Sequence, residues 1–397
     1  MGRRGPAVKA AWVVPRWSPD VRGGAETAAR MVAERLAALP GWEVEVFTSR
    51  AVDHFTWANT LPEGTETLNG VEVHRFTCSG VRFDDDPAFA ARVIHYPRSA
   101  SMDEARRWVA MQGPTSADLV DAIAGSDADV VTFTPYLFAP AVQGLPRVAA
   151  RSVLAAAAHD EPLLHLAVYR ELFGAAASFV YYTPEERTLV ERRFEVAHRP
   201  HAILGLGIET PAALPGAAAL PDDLGDTPYV VSLGRVEEGK GSRMLARFFE
   251  EYKRRRPGPL KLVLVGPVTQ AERYTHDDVV LTGAVDEATK WALLAHARAF
   301  VSPSPYESFS LVLMEAWWAG LPALVNGRCA VTRGHAARSG GGVWFEGYAS
   351  FEAALDRLLG DEAVAARMAQ CGKAYVEEHY SWPRLVDAYR TFYESRA

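Results

Sequence analysis

Pro305-Tyr306-Glu307-Ser308-Phe309-Ser310-Leu311-Val312-Leu313-Met314-Glu315 follows a short apolar run, Ala299–Ser302, and its reading decides the fold. The run has the composition of a buried strand; the segment after it opens as a loop and continues as a helix. Eight helical positions span about 12 Å and would turn the two glutamates to different faces. With Glu307 in the loop and Glu315 two turns into the helix, the carboxylates instead bracket one elongated ligand. A helix N-terminus lies between them, and its free N–H groups and dipole favour an anion. Hydroxyl acceptors on either side of an anion site suit a nucleotide sugar: ribose, diphosphate, hexose. The competing account is chance spacing, since glutamates are common in helices.

A second element stands some 65 residues upstream, Val230-Val231-Ser232-Leu233-Gly234-Arg235-Val236-Glu237-Glu238-Gly239-Lys240-Gly241-Ser242. An apolar strand ends in Gly-Arg, and Lys-Gly leads into an amphipathic helix over 242–256. Arg235 offers a planar fork of donors and Lys240 a mobile point charge. Both stand at the carboxyl end of a strand, where open α/β sheets place ligands. An ordinary strand–turn–helix with solvated charges is the alternative.

Taken together, Gly-Arg-x4-Lys-Gly and the later Glu-x7-Glu resemble the C-terminal domain of family 4 (GT4) glycosyltransferases, retaining and metal-independent enzymes of the GT-B fold. Val13-Val14-Pro15 with Gly23-Gly24-Ala25-Glu26 looks like that family's first strand and glycine loop. His159-Asp160, after the small-residue run 155–158, looks like its donor-facing histidine segment. Residues 381–393 look like its terminal helix, which crosses back to the N-terminal domain.

That resemblance implies two Rossmann-like, doubly wound parallel-sheet domains facing a cleft. Residues 1–211, with the returning helix 381–397, form the acceptor domain, and 212–380 form the nucleotide-sugar domain. Hydrophobic residues at 49%, charged ones at 23% and a length of 397 agree with two soluble domains. Strand-like segments at 10–15, 43–48, 71–77, 129–134, 151–157, 178–182 and 201–206 alternate with helical patterns, clearest at 25–39 and 185–194. Residues 80–125 are less regular and are a candidate acceptor-binding insertion. A Pro-, Ala-, Gly- and Asp-rich linker covers 209–228. Alternation then restarts at 229–233, 261–265, 279–282, 299–302, 322–325 and 343–345.

The net charge of −7 suggests no nucleic-acid face. The basic cluster 253–256 ends a helix, where solvated cations suit the dipole. The cysteines Cys78, Cys329 and Cys371 have no metal-ligand spacing and fit a reducing cytoplasm. No apolar run approaches the ~20 residues that span a bilayer. The start of the chain carries Arg3 and Arg4, but its apolar stretch is short and runs straight into Arg16, which favours a first strand over a signal peptide. Many related enzymes use lipid acceptors, which leaves peripheral contact with the inner face of the membrane open; oligomeric state is equally open.

Residue roles follow from the resemblance. Arg235 and Lys240 take the donor diphosphate, beside Gly234. Glu307 takes donor-sugar hydroxyls, Glu315 the ribose, and backbone N–H groups at Phe309, Ser310 and Leu311 the phosphates. Relatives often carry Glu-Gly-Phe-Gly where this chain has Glu307-Ser308-Phe309-Ser310, which restricts the loop. The base is read near Gly283-Ala284-Val285. His159 hydrogen-bonds the donor sugar, against the alternative of a structural histidine. Asp160 contacts an acceptor hydroxyl or caps the helix after Pro162. Gly23 and Gly24 let backbone approach the reacting centre, and Glu26 complements the helix dipole without chemistry.

Asp84-Asp85-Asp86 resembles a metal-binding Asp-x-Asp, but the surrounding pattern belongs to a different fold, so no metal or cofactor is expected. Phe55, Trp57, Tyr96 and Trp108 either stack on a sugar or fill the core. The implied reaction moves a sugar from a nucleotide-diphosphate sugar to an acceptor hydroxyl by front-face substitution. The alternatives are a nucleotide-sugar 2-epimerase of the same fold and a degenerate sugar-nucleotide-binding protein.

Overall fold

The structure, a computed structural model, describes residues 8–397 except 22, 80, 81, 84, 222, 223, 226, 272 and 273. Arg3, Arg4 and Asp84 therefore lie outside the described residues. The chain divides into two compact units, Met1–Leu206 with Pro383–Ala397, and Gly207–Trp382.

Among the described residues the first unit holds an eight-stranded sheet. Its strands are β1 (Val8–Val13), β2 (Trp42–Ser49), β3 (Gly64–Leu68), β4 (Val71–Phe76), β5 (Val130–Phe133), β6 (Ser152–Leu154), β7 (Ser178–Tyr181) and β8 (His201–Ile203). They lie in the order β3-β4-β2-β1-β5-β6-β7-β8. The pairs are parallel except β3 with β4. Strands covered on both faces read as continuous apolar runs, which is why β1, β5 and β7 are legible in the sequence. The edge strand β3 was not expected: Gly-Thr-Glu-Thr-Leu is polar and exposed. Its signal was the turn, because Asn69 and Gly70 both sit at positive φ, 50° and 82°. An Asn-Gly pair at such angles is the favoured two-residue hairpin connection.

Residues 80–125 are more regular than their sequence suggests. Helices Pro87–His95, Met102–Gln112 and Ala117–Gly125 bury Phe89, Val93, Trp108, Val109, Leu119 and Ile123 in the core of this unit. Asp86 caps the first of them by accepting the Phe89 N–H at 2.9 Å and pairs with Arg107 at 3.0 Å, so this aspartate is structural. Trp57 and Trp108 are core residues, whereas Phe55 and Tyr96 are exposed. The helix Trp382–Glu394 brings Tyr393 onto Trp12, ring centroids 5.3 Å apart, with its hydroxyl 2.7 Å from Thr132 Oγ1. Tyr389 donates to the Gly205 carbonyl at 2.8 Å.

The second unit has a six-stranded sheet ordered β11-β10-β9-β12-β13-β14. These are β9 (Tyr229–Leu233), β10 (Lys261–Val265), β11 (Val279–Gly283), β12 (Ala299–Ser302), β13 (Ala323–Asn326) and β14 (Gly342–Phe345), all parallel. Helix Ser242–Arg255 packs Leu245, Phe249 and Tyr252 into its core. The basic end of this helix is paired rather than freely solvated. Lys253 is buried, donating to the carbonyls of Gly258 and Leu260 and lying 3.2 Å from Asp278, while Arg255 meets Glu352 at 2.8 Å. A lysine stem long enough to reach back over its own helix end buries where a shorter cation would stay in water.

Among the described residues, no helix is long and apolar enough to cross a membrane. Cys78, Cys329 and Cys371 are free thiols, the first two buried.

Candidate functional site

Three adjacent strands of the second unit end in glycines with left-handed backbone. Gly234 follows β9 at φ 130°, Gly266 follows β10 at 135°, and Gly283 ends β11 at 68°. The Gly234 N–H donates to Val265 O and the Gly266 N–H to Gly283 O, each at 2.9 Å. A Cβ on Gly266 would stand 2.1 Å from Gly234 O, so only glycine fits. The result is a side-chain-free floor at the carboxyl ends of the strands, open to close approach by a ligand. Gly234 and Gly283 were singled out from the sequence; Gly266 was missed, although it too follows an apolar strand directly. Val285 lies half-buried in the segment between β11 and the helix Glu287–His296.

Gly241, at φ 75°, ends the short turn Glu238–Lys240 and starts the next helix. Its backbone passes so near Pro303 that a Cβ would meet the Pro303 carbonyl at 2.5 Å. This close packing brings Lys240 to the loop after β12, where its ammonium lies 2.9 Å from Glu307 Oε1. Arg235 is not part of that pair: about half exposed, it lies 3.1 Å from Glu237.

The loop itself is pinned at several points. Asn326 Nδ2 donates to Pro303 O at 2.8 Å, and Ser304 Oγ to Tyr306 O at 3.0 Å. Phe309 is buried, with the rings of Tyr380 and His335 at 5.0 and 5.5 Å, both edge-on. Burial and the nearby Arg338 push His335 down to about 3, so it is neutral; its Nδ1 lies 3.1 Å from the Tyr375 hydroxyl.

Ser310 then precedes the helix Leu311–Trp318 at φ 75°, ψ 72°, without capping it through its side chain. Among the described residues its buried Oγ has no hydrogen-bond partner. A non-glycine residue in this conformation costs roughly 1 kcal/mol, and strain of this kind concentrates at ligand sites. The serine substitution that restricts this loop thus has a concrete structural expression. The free N–H groups of the helix's first turn start at Leu311.

Glu315, one turn further on, is already engaged at one of its two oxygens. Burial pushes its carboxyl up while Lys290, 2.9 Å from Oε1, pulls it back. Lys290 was not recognised from the sequence, because the contact joins two helices 25 residues apart.

In the first unit, Gly23 is held under a buried ion pair. Glu26 meets Arg16 at 2.5 and 2.9 Å, and Arg16 also donates to Val52 O. A Cβ on Gly23 would fall 2.1 Å from Glu26 Oε2, whereas one on Gly24 would meet nothing within 4 Å. Glu26 therefore supports the glycine loop through Arg16 instead of merely complementing a dipole.

His159 follows Ala157, a non-glycine residue at φ 52°. The turn is held from below by Glu186, fully buried, which accepts the Ala158 N–H at 2.8 Å and the Tyr182 N–H at 2.7 Å. Burial pushes Glu186 up to about 8 against these backbone donors. The pattern Thr183-x-x-Glu186 is a capping-box signature, visible in the sequence but not used. His159 Nδ1 lies 3.3 Å from Glu161 Oε1, which accepts the Tyr136 hydroxyl at 2.8 Å. Asp160 is exposed and does not cap the turn Pro162–His165, which begins at Glu161 without a side-chain cap. The expected strand over 151–157 ends at Leu154, so His159 sits on a loop five residues beyond it.

Among the described residues, Glu45, Glu72 and His74 are the acidic and imidazole groups close enough to share a cation. The Lys9 ammonium already lies 3.4 Å from Glu45 there, supplying the balancing charge.

Residues 222–375 match the family described as Glycosyl transferases group 1. Glycogen synthase of Mycobacterium tuberculosis is 29% identical over 175 residues, 39% of this chain and 40% of the relative, so the match spans less than half of either protein. Sucrose-phosphate synthase from Thermosynechococcus elongatus superposes with a TM-score of 0.74 at 18% identity, covering 98% of both chains. The α,α-trehalose 6-phosphate synthase of Burkholderia multivorans gives 0.71 at 14%, covering 98% and 99%. Both parallel-sheet units thus have the α/β fold of GT-B structures, and the residues that match the glycosyl transferases group 1 family fall in the second unit.

Proposed function

We propose that the protein is a retaining, metal-independent glycosyltransferase that moves a sugar from a nucleotide-diphosphate sugar to an acceptor hydroxyl. The observation that carries this reading is the juxtaposition of Lys240 and Glu307 at 2.9 Å, between the bare glycine floor and the strained entry to helix Leu311–Trp318. A cation, a helix N-terminus and backbone without side chains together suit a diphosphate. A carboxylate beside them suits sugar hydroxyls.

In this reading the second unit holds the donor and the first the acceptor. Lys240 and Arg235 neutralise the departing diphosphate, and the N–H groups near Phe309, Ser310 and Leu311 meet its oxygens. Glu307 accepts donor-sugar hydroxyls and thereby orients the anomeric carbon; Glu315 takes the ribose, and the backbone near Val285 the base. His159 donates to the sugar, Gly23 and Gly24 leave room at the reacting centre, and Asp160 contacts the acceptor. The bond from the anomeric carbon to the diphosphate oxygen breaks as the acceptor oxygen bonds on the same face. The acceptor proton passes to the leaving oxygen. No side chain need act as nucleophile; the protein's share is orientation and charge stabilisation.

Calorimetric titration with UDP, GDP, TDP and ADP in EDTA tests this, with Glu315→Ala as control. Tight binding of one nucleotide, lost in the variant, supports the reading; binding of none by the folded protein sinks it. Product analysis with a labelled donor separates transfer from epimerisation, since an epimerase converts the donor without any acceptor.

A further inference from the structure

Lys290 belongs to none of the roles assigned above, yet it is tightly placed. Its ammonium lies 2.9 Å from Glu315 Oε1 and 2.8 Å from Glu287 Oε2. The same ammonium lies over the Trp291 ring, 5.0 Å from its centroid, and Trp291 is itself buried edge-on against Trp318. Both ends of the Lys290–Glu315 pair are largely shielded, with side chains 17% and 15% exposed, whereas Glu287 is 76% exposed. The Glu315 contact therefore dominates, and the Glu287 contact is weakened by water.

Among the described residues, Glu315 Oε2 has no hydrogen-bond donor. On the nucleotide-sugar reading given above, we propose that Lys290 is a positioning residue of the donor site. It ties Glu315 down through Oε1, leaves Oε2 facing the ribose hydroxyls, and balances a carboxylate one helical turn from the diphosphate.

The chemistry needs such a partner. A carboxylate in this buried position without a counter-ion either takes up a proton or stands as an unbalanced charge beside a dianionic ligand. Of the other charged groups on these helices, Glu287 contacts Lys290 itself, and Lys373 on helix Glu362–His379 lies over the Trp318 ring at 5.5 Å. Neither replaces Lys290: one has the wrong sign, and the other is held on a different ring. Burial pulls Lys290 down, but Glu315 and Glu287 more than offset this and raise it, so it stays charged throughout neutral pH.

The test is calorimetric, using whichever of UDP, GDP, TDP and ADP the wild type binds most tightly, between pH 6.5 and 9. Affinities are expressed as the ratio of variant to wild type, which removes the ligand's own titration. Lys290→Met is expected to weaken binding about tenfold at pH 7, the loss growing as pH rises and Glu315 ionises without its partner. Lys290→Arg, which keeps the charge, restores most of the affinity and a flat ratio. Lys290→Met/Glu315→Gln removes both charges, protects the fold from an unpaired buried group, and gives a pH-independent ratio.

A folded Lys290→Met protein with wild-type affinity and a flat ratio overturns the proposal. So does a pH-dependence that survives in the double variant. Failure of the wild type itself to bind any of the four nucleotides overturns the donor-site reading, and the wild-type arm reports that outcome separately.

Discussion

Lys240 Nζ stands 2.9 Å from Glu307 Oε1, joining the turn after β9 to the loop after β12. Both side chains are partly exposed, so the pair contributes at most ~1 kcal/mol to stability. Its importance lies in charge placed at the candidate phosphate site. Lys240→Ala is expected to lower kcat by about 10²–10³ while leaving the melting temperature within a degree or two. Single-turnover rates alongside a thermal melt check both halves, and near-normal turnover from the folded variant would count against the assignment.

Ser310→Gly relieves a left-handed serine whose hydroxyl is buried without a partner. The gain is up to about 1 kcal/mol, offset in part by glycine's greater freedom in the unfolded chain. Ser310→Ala keeps the strained backbone and gains less. Urea midpoints for the two variants should fall in that order.

Gly266→Ala places a methyl group against the Gly234 carbonyl and imposes a φ of 135° on an L-residue. Neither atom is the end of a flexible side chain, so the backbone must shift. A loss of roughly 2 kcal/mol or more is expected, with nucleotide affinity falling as well, because the shift falls on the floor of the site. Gly24→Ala, by contrast, meets nothing within 4 Å and should fold normally.

Glu186 gives the first unit a pH dependence. Its carboxyl is pushed from 4.5 to about 8 in the folded state, so folding binds a proton between those values. The associated stability is complete below about pH 4.5 and is lost as pH rises through 8, at up to ~1.4 kcal/mol per pH unit. The difference in unfolding free energy between wild type and Glu186→Gln should therefore slope over this window and flatten above it.

His335 acts in the opposite sense on the second unit. Its folded-state value is lowered from 6.5 to about 3, so only the unfolded chain takes up the proton between them. Stability from this group is full above pH 6.5 and falls as pH drops toward 3. Calorimetric scans at pH 5, 6.5 and 8 should show two transitions moving in opposite directions. In His335→Phe the second of these should lose its acid sensitivity.

The parallel core of the fold was legible because buried strands such as Val230-Val231 and Ala299–Ser302 are apolar runs between amphipathic helices. The edge hairpin was not, since Gly64–Leu68 carries no buried side chains and only Asn69-Gly70 marks it. At the candidate site, the residues with charge at strand ends could be read directly: Arg235, Lys240, Glu307. Those that hold others in place could not. Glu186 acts on Ala158 from 28 residues away, and Lys290 acts on Glu315 from 25. Such pairings depend on which helices come together, a property of the packed sheet and not of any local pattern. Lys253 shows the converse error: a cation at a helix end looks solvated until its stem finds carbonyls to cover.

Tyr389 and Tyr393 complete the core of the first unit, on Gly205, Trp12 and Thr132, yet they leave the ribosome only after residues 207–382 have been made. At ~5–20 residues per second that interval lasts on the order of ten to thirty seconds. During that time the cleft on Trp12 and Thr132 waits without its tyrosines, while the second unit is being made. The half of the chain that is made first is thus sealed last.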